Sequence, residues 1–131
     1  MSKTAITSPE LTPPVGPFSQ AIEIAGFLFL SGQVGQDPTT GKLVPGGVVA
    51  ETEQVFLNAA AVLRAAAMGF DDVISVRVFL TRMEDYQAMN AIYARHFTEP
   101  FPARTAVGVA ALPLGACVEI DMIARLGAAG R

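Results

Sequence analysis

An arginine and a glutamate in the last third of the chain are the residues best suited to chemistry. Arg104 follows Phe101-Pro102-Ala103, and Glu119 comes fifteen residues later. A guanidinium is a planar fork that matches a carboxylate, and a carboxylate can serve as the base that activates a water molecule. The pair suggests a pocket for a small anion. An ordinary Arg–Glu ion pair between neighbouring strands is the alternative that the residues leave open.

The residues around Arg104 predict a strand with one face of small side chains. Pro102 ends the preceding element, because proline neither continues a helix nor donates to a sheet ladder. In Thr105–Ala110, β-branched residues alternate with alanine and glycine, which is typical of a strand. On a period of two, Arg104 shares its face with Ala106 and Gly108. Those small residues leave space beside the guanidinium.

Glu119 lies in the predicted last strand, Val118–Arg125, whose other face is apolar. The turn formers in Leu112–Gly115 would join this strand to the strand of Arg104. We therefore expect the two strands to pair and both charged side chains to lie on one face of the sheet. That face would also carry Ala106, Gly108 and Ser31.

The remaining patterns predict an α+β fold, with one mixed, mostly antiparallel sheet and two helices on one of its faces. A single domain would span residues 1–131, with a core of about 13–125, an irregular proline-rich arm at 1–12 and a frayed tail at 127–131. The predicted elements are strands Phe18–Ile24, Phe27–Leu30, Val73–Thr81, Thr105–Val109 and Val118–Arg125, and helices Val49–Met68 and Glu84–Phe97.

Composition limits the classes of function. The chain has 131 residues, of which 51% are hydrophobic and 16% charged, so we expect further apolar surface to be buried in a homo-oligomer. A net charge of −3 without a basic run argues against nucleic acid as a partner. No apolar run is long enough for a membrane span, and the first residues lack a signal peptide's apolar core. With one cysteine, the expected compartment is the cytoplasm.

Other reactive residues give weaker signals. His96 is the single histidine and lies far from Cys117, so no metal-ligand cluster is predicted. Cys117 is best interpreted as a small buried hydrophobe, and His96 as a helix-end residue. Asn90 is unusual inside a helix, where it is either solvated or functional, and Ser31 either lines a pocket or closes a turn.

The ordered set of motifs closely resembles the RidA/YjgF (Rid) family of reactive-intermediate deaminases. The matching stretches are Gly16-Pro17-Phe18-Ser19-Gln20-Ala21, Ser31-Gly32-Gln33, Asp37-Pro38-Thr39-Thr40-Gly41, Asn90-Ala91-Ile92-Tyr93, Phe101-Pro102-Ala103-Arg104 and Val118-Glu119-Ile120. Each is weak alone, but together they run in family order over about residues 13–125.

The resemblance implies a chorismate-mutase-like homotrimer with sites in the clefts between subunits. It also implies hydrolysis of 2-imino acids, the tautomers of enamines, to 2-keto acids and ammonia without a metal or organic cofactor. Arg104 matches the residue that binds the substrate carboxylate, and Glu119 matches the residue that positions or activates water. The expected substrate-binding positions are Phe18, Ser31, Gly32, Asn90 and Ala106.

Two departures from the family pattern affect these expectations. Phe18 stands where many members have tyrosine, so a phenol hydroxyl is missing from the expected pocket. Ala106 occupies a position that is cysteine in some relatives. Two alternatives therefore remain: a pathway-specific deaminase of a larger enamine acid, of the aminomuconate type, and a non-catalytic trimer that binds small carboxylates or acts as a chaperone.

Overall fold

The computed structural model describes residues 2–130. Within them, six strands form one sheet in the order β1-β2-β3-β6-β4-β5. The strands are β1 (Thr4–Ile6), β2 (Ala21–Ile24), β3 (Phe27–Gln33), β4 (Val73–Leu80), β5 (Ala103–Gly108) and β6 (Val118–Arg125), and the helices are α1 (Gly47–Ala65) and α2 (Tyr86–Tyr93).

The sheet is mixed, as the sequence predicted. Among residues 2–130, β4 and β5 are the only parallel pair, and every other neighbouring pair is antiparallel. Parallel neighbours need a crossover, which α2 supplies between β4 and β5. The last strand, β6, inserts between β3 and β4 instead of extending an edge. This arrangement makes β5 an edge strand next to α2.

Both helices cover the same face of the sheet and share its core. Helix α1 contributes a buried apolar stripe, and Met89, Ile92 and Tyr93 form the buried side of α2. The stripe packs on inward-facing residues of the central strands, which are Leu28, Leu30, Val76, Val78, Leu80, Val118, Ile120, Met122 and Ala124. Burial of these side chains on the helical face is the main apolar contribution to the fold.

The first helix ends differently from the prediction. It was predicted to run to Met68 but ends at Ala65, and Gly69 beyond it is extended, with φ −138°. Instead, Ala67 takes the left-handed conformation at φ 59°, and the Met68 N–H donates to the Leu63 carbonyl oxygen over 2.9 Å. This bond satisfies a carbonyl of the last turn in the manner of a Schellman motif.

Both ends of the chain are more ordered than expected. The arm at residues 1–12, expected to be irregular, includes strand β1, which pairs with β2. At the other end, the backbone N–H of Ala129 donates to Asp72 Oδ1 over 3.2 Å, which ties Ala129 to the domain. Arg131, the end of the expected frayed tail, lies outside the described residues.

The face of the sheet opposite the helices carries apolar side chains beside charged ones. Phe29 is 44% exposed and Val107 is 40% exposed there. Their neighbours in register include Ile22, Ile123 and Phe79. Arg77 and Asp121 form an ion pair on this face, with Nη2 and Oδ2 2.6 Å apart. We call this surface the open face.

No helix within residues 2–130 combines the length and hydrophobicity needed to cross a membrane.

Candidate functional site

Arg104 is held by side chains of helix α2. Its Nη1 donates to Asn90 Oδ1 over 2.5 Å, and its Nη2 donates to the Tyr86 hydroxyl oxygen over 2.6 Å. The guanidinium carbon also lies 4.6 Å from the centroid of the Tyr93 ring, within the range of a cation–π interaction. We call Arg104, Asn90, Tyr86 and Tyr93 the arginine cluster. These contacts fix the orientation of a long, otherwise flexible cation.

The spacing of the cluster follows from helical geometry. Tyr86, Asn90 and Tyr93 are four and three residues apart, so their side chains lie along one face of α2. The crossover then places β5 beside that face. Asn90 was identified from the sequence as a polar residue inside a helix, whereas Tyr86 and Tyr93 were not predicted as site residues. Their spacing relative to Asn90 was the signal that could have identified them.

Ala106 lies on the same side of the sheet as Arg104. It is in register with the buried Val78 and packs against the core. A Cβ placed on Gly108 would lie 3.1 Å from the Met83 side chain, so this end of β5 is close-packed as well. The small residues therefore allow α2 and the turn before it to approach the strand.

Glu119 lies in a separate cavity of about 520 Å³. Phe18, Ser31 and Gly32, all predicted as binding residues, line it together with the turn residues Pro113 and Leu114 and the segment 11–15. A Cβ on Gly32 would lie only 2.7 Å from Glu119 Oε2, so the absence of a side chain makes room for the carboxylate. We call Phe18, Ser31, Gly32 and Glu119 the glutamate cavity.

Ser31 can serve a ligand mainly as an acceptor. Its hydroxyl donates to the Ser19 carbonyl oxygen over 2.6 Å, which commits its proton to the backbone. The oxygen keeps lone pairs for a donor such as an iminium or ammonium group. Phe18 is 56% exposed and follows an irregular turn, because β2 begins at Ala21 and not at Phe18 as predicted.

Glu119 has a pKa above its ordinary value. Partial burial is the larger cause, since it disfavours the charged carboxylate, and the nearby charge of Asp121 acts in the same direction. A carboxylate with a raised pKa holds a proton more strongly, which suits a group that must take a proton from water.

The predicted positions thus fall into two groups, and the expected pairing of their strands is wrong. Strand β4 separates β5 from β6, a gap of two strand spacings or about 10 Å. Arg104 is in register with the buried Val76 and points to the helical face. Glu119 is in register with Phe79, on the open face. Arg104, Ala106 and Gly108 therefore do not lie on the face that carries Glu119. Arg104 and Glu119 do not form an ion pair within one chain.

Glu51 has a structural role that the sequence did not indicate. It lies near the start of α1 and is buried, and its Oε1 accepts from the Cys117 N–H over 2.8 Å. This bond holds the backbone just before β6, two residues from Glu119. Burial, followed by the influence of Glu51, raises the pKa of the Cys117 thiol.

His96 packs into an aromatic group. Its ring stacks on Phe56 with centroids 4.2 Å apart. Burial is the main reason that its pKa lies below the ordinary value. Within residues 2–130, no group of three or more His, Cys, Asp or Glu residues is arranged to hold a metal ion.

Comparison with known proteins agrees with the motifs. The family model described as Endoribonuclease L-PSP, which represents the YjgF/RidA family, matches residues 9–126. The chain belongs to the RidA/YjgF family. The mouse protein named 2-iminobutanoate/2-iminopropanoate deaminase is 46% identical over 113 residues, covering 86% of this chain and 84% of that protein.

Solved structures support the same fold. A protein of the conserved Rid family from Yersinia pestis has a TM-score of 0.91 at 40% identity, covering 95% of this chain and 99% of that chain. Escherichia coli TdcF, whose structure contains bound serine, has a TM-score of 0.87 at 29% identity, covering 93% and 98%. The α+β class and the mixed sheet are thus those of Rid proteins.

Proposed function

We propose that this Rid protein hydrolyses small 2-imino acids to 2-keto acids and ammonia. The observation that carries the proposal is the preorganised guanidinium of Arg104, which Asn90 and Tyr86 orient while donors remain free. Relatives named 2-iminobutanoate/2-iminopropanoate deaminase support this substrate class. The serine bound to TdcF supports binding of small amino-acid-like molecules in the family.

In this proposal, Arg104 binds the carboxylate of the substrate. Two of its five N–H groups are occupied within the arginine cluster, so three remain for an anion. A guanidinium and a carboxylate pair through two parallel hydrogen bonds, which fixes the plane of the bound acid. Fixing that plane places the C=N carbon for attack and lowers the entropic cost of the reaction.

Glu119 directs the attacking water. The carboxylate accepts a proton from water as the water oxygen bonds to C2 of the protonated imine, giving a carbinolamine. Transfer of that proton to nitrogen makes ammonia a leaving group. As the C–N bond breaks, the hydroxyl proton of the carbinolamine passes to the Glu119 carboxylate and then to the departing ammonia, which leaves the 2-keto acid. The raised pKa of Glu119 makes its carboxylate a stronger base for the transfer from water. A protonated imine is already electrophilic, so the proposed reaction uses neither a metal nor an organic cofactor.

The reaction requires two chains, because Arg104 and Glu119 lie on opposite faces of one sheet. We propose a homotrimer in which the arginine cluster of one subunit meets the glutamate cavity of its neighbour. The apolar residues of the open face, among them the partly exposed Phe29 and Val107, give a surface that such an assembly would bury. A head-to-tail contact joins two different patches and closes into a ring, which suits two different half-sites.

The glutamate cavity sets the expected substrate range. Its apolar wall includes Phe18 and Leu114. Phe18 offers no hydroxyl to water or substrate, so selection would depend on the size of the side chain. Short alkyl chains, as in 2-iminopropanoate and 2-iminobutanoate, fit this proposal.

The test couples a serine or threonine dehydratase to the protein and follows formation of free 2-keto acid. Wild type is expected to accelerate the reaction, and Arg104→Ala is expected to abolish that acceleration while remaining folded. Full activity in the variant would contradict the assigned role of Arg104. If folded wild type gave no acceleration but bound 2-keto acids, the non-catalytic alternative would be favoured, and activity only on long enamine acids would favour the aminomuconate type.

A further inference from the structure

Within residues 2–130, Tyr86 is the one partner of Arg104 that combines a rigid side chain with a hydrogen bond. Its hydroxyl oxygen accepts from Arg104 Nη2 over 2.6 Å, and its ring centroid lies 5.6 Å from the guanidinium carbon. The ring is half-buried and packs against the apolar core. Because a tyrosine has only two side-chain torsions, packing of the ring fixes the position of the hydroxyl.

Two hydrogen bonds hold the two terminal nitrogens of Arg104. Asn90 binds Nη1 and Tyr86 binds Nη2, so both terminal nitrogens are held and the plane of the guanidinium cannot rotate freely. The donors left for a ligand are Nε–H and one hydrogen on each terminal nitrogen. Without the Tyr86 hydroxyl, the guanidinium would be hydrogen-bonded only at Nη1, by Asn90. Binding of a carboxylate would then include the entropic cost of ordering the Arg104 side chain.

We propose that Tyr86 is a positioning residue for Arg104 and sets the affinity of the site for carboxylates. This inference deepens the proposed function and rests on it. The carboxylate does not react, and once it has ordered Arg104 the plane of the acid is fixed alike in the bound substrate and in the transition state. Weakening such a contact raises KM and leaves kcat nearly unchanged.

The chain provides a matched comparison within the same helix. Tyr93 also lies against Arg104, but its buried hydroxyl has no hydrogen-bond partner among the described residues. Tyr93→Phe removes a hydroxyl that does not bind the guanidinium, whereas Tyr86→Phe removes one that does. Both variants keep the ring, so both are expected to fold, and their thermal unfolding curves check this.

The experiment measures binding of 2-oxobutanoate, a stable product, by calorimetry, and imine hydrolysis by the coupled dehydratase assay. We expect Tyr86→Phe to raise Kd and KM about 5- to 10-fold with kcat within about twofold, since it removes a charge-assisted hydrogen bond. Tyr93→Phe is expected to raise Kd by a clearly smaller factor.

Arg104→Ala separates the failure of this inference from failure of the proposed function. If Arg104→Ala loses 2-oxobutanoate but Tyr86→Phe binds it like wild type, the role of Tyr86 is refuted and the carboxylate site remains. Equal losses in Tyr86→Phe and Tyr93→Phe, or a fall in kcat at constant KM, also refute it. If Arg104→Ala binds 2-oxobutanoate like wild type, both the proposed carboxylate site and the role of Tyr86 are refuted.

Discussion

Mixing two inactive variants should restore activity, because Arg104 and Glu119 face opposite sides of one sheet. Arg104→Ala keeps an intact glutamate cavity, and Glu119→Gln keeps an intact arginine cluster. Neither homo-oligomer can assemble a complete site. In the proposed homotrimer, a mixed assembly contains one contact in which the native arginine of one chain meets the native glutamate of the next.

The expected magnitude follows from the symmetry of the ring. Any trimer that contains both variants has one contact with the productive order, so its rate should be about one third of the wild-type rate per trimer. The variants are co-expressed with different affinity tags, and mixed trimers are isolated by purification on both tags in turn. The assay is the dehydratase-coupled formation of 2-keto acid.

Activity at background level in verified mixed trimers would refute the two-chain site. Trimers of Arg104→Ala carrying both tags are the control for the tags and for carry-over of the dehydratase. Equal activity in that control would show that the signal does not come from complementation.

Three further predictions concern Glu119, His96 and Gly32. Glu119→Gln should lower the hydrolytic rate about 10²- to 10⁴-fold, yet raise the free energy of unfolding at neutral pH, because the raised pKa marks a carboxylate that burial disfavours. This gain in unfolding free energy should be full above the pKa of Glu119 in the folded protein and should vanish as the pH falls below the unfolded pKa of 4.5. Urea unfolding of wild type and variant from pH 4 to 8 measures it, and a difference that does not change with pH would contradict it. His96 stacks on Phe56 and has a lowered pKa, so the unfolded chain takes up a proton at higher pH than the folded protein does. Wild type should therefore lose stability relative to His96→Gln as the pH falls below the unfolded pKa of 6.5. A difference in unfolding free energy between the two proteins that stays constant from pH 8 to 5, measured in urea, would count against this. Gly32→Ala should displace the Glu119 carboxylate, which would lie 2.7 Å from the new Cβ, and reduce the rate roughly 10- to 100-fold with little change in melting temperature. Gly69→Ala, where the added Cβ meets nothing within 4 Å, is its control, and equal rates for both variants would disprove the steric argument.

Much of the fold could be predicted because its signals are local. The apolar stripe of α1 and the β-branched run of β4 are periodic patterns, and both elements lie close to the predicted bounds. Strand β1 was missed because three residues among prolines carry no periodic signal. Its pairing with β2 is a tertiary contact, which local patterns do not encode.

The residues of the candidate site were also selected from sequence, but the arginine cluster was incomplete. Asn90 attracted attention as a polar residue within a helix, whereas Tyr86 and Tyr93 fitted a buried helical face. The contact of both tyrosines with Arg104 depends on how α2 packs on β5. Ala106 had been placed on the same face as Glu119. A small residue is compatible both with space for a ligand and with a closely packed helix, so its type alone did not distinguish the two.

The sequence by itself determined the family, the order of the strands and helices after β1, and the charged residues of the site. The period of two in β5 and β6 also determined which residues share a face within each strand. Only the tertiary structure decided how the faces of different strands align, because β6 inserts beside β3 and β4 rather than pairing with β5. That insertion puts Arg104 and Glu119 on opposite faces. The alternation of side chains shows which residues of one strand share a face, but it does not show which face of the sheet each set occupies.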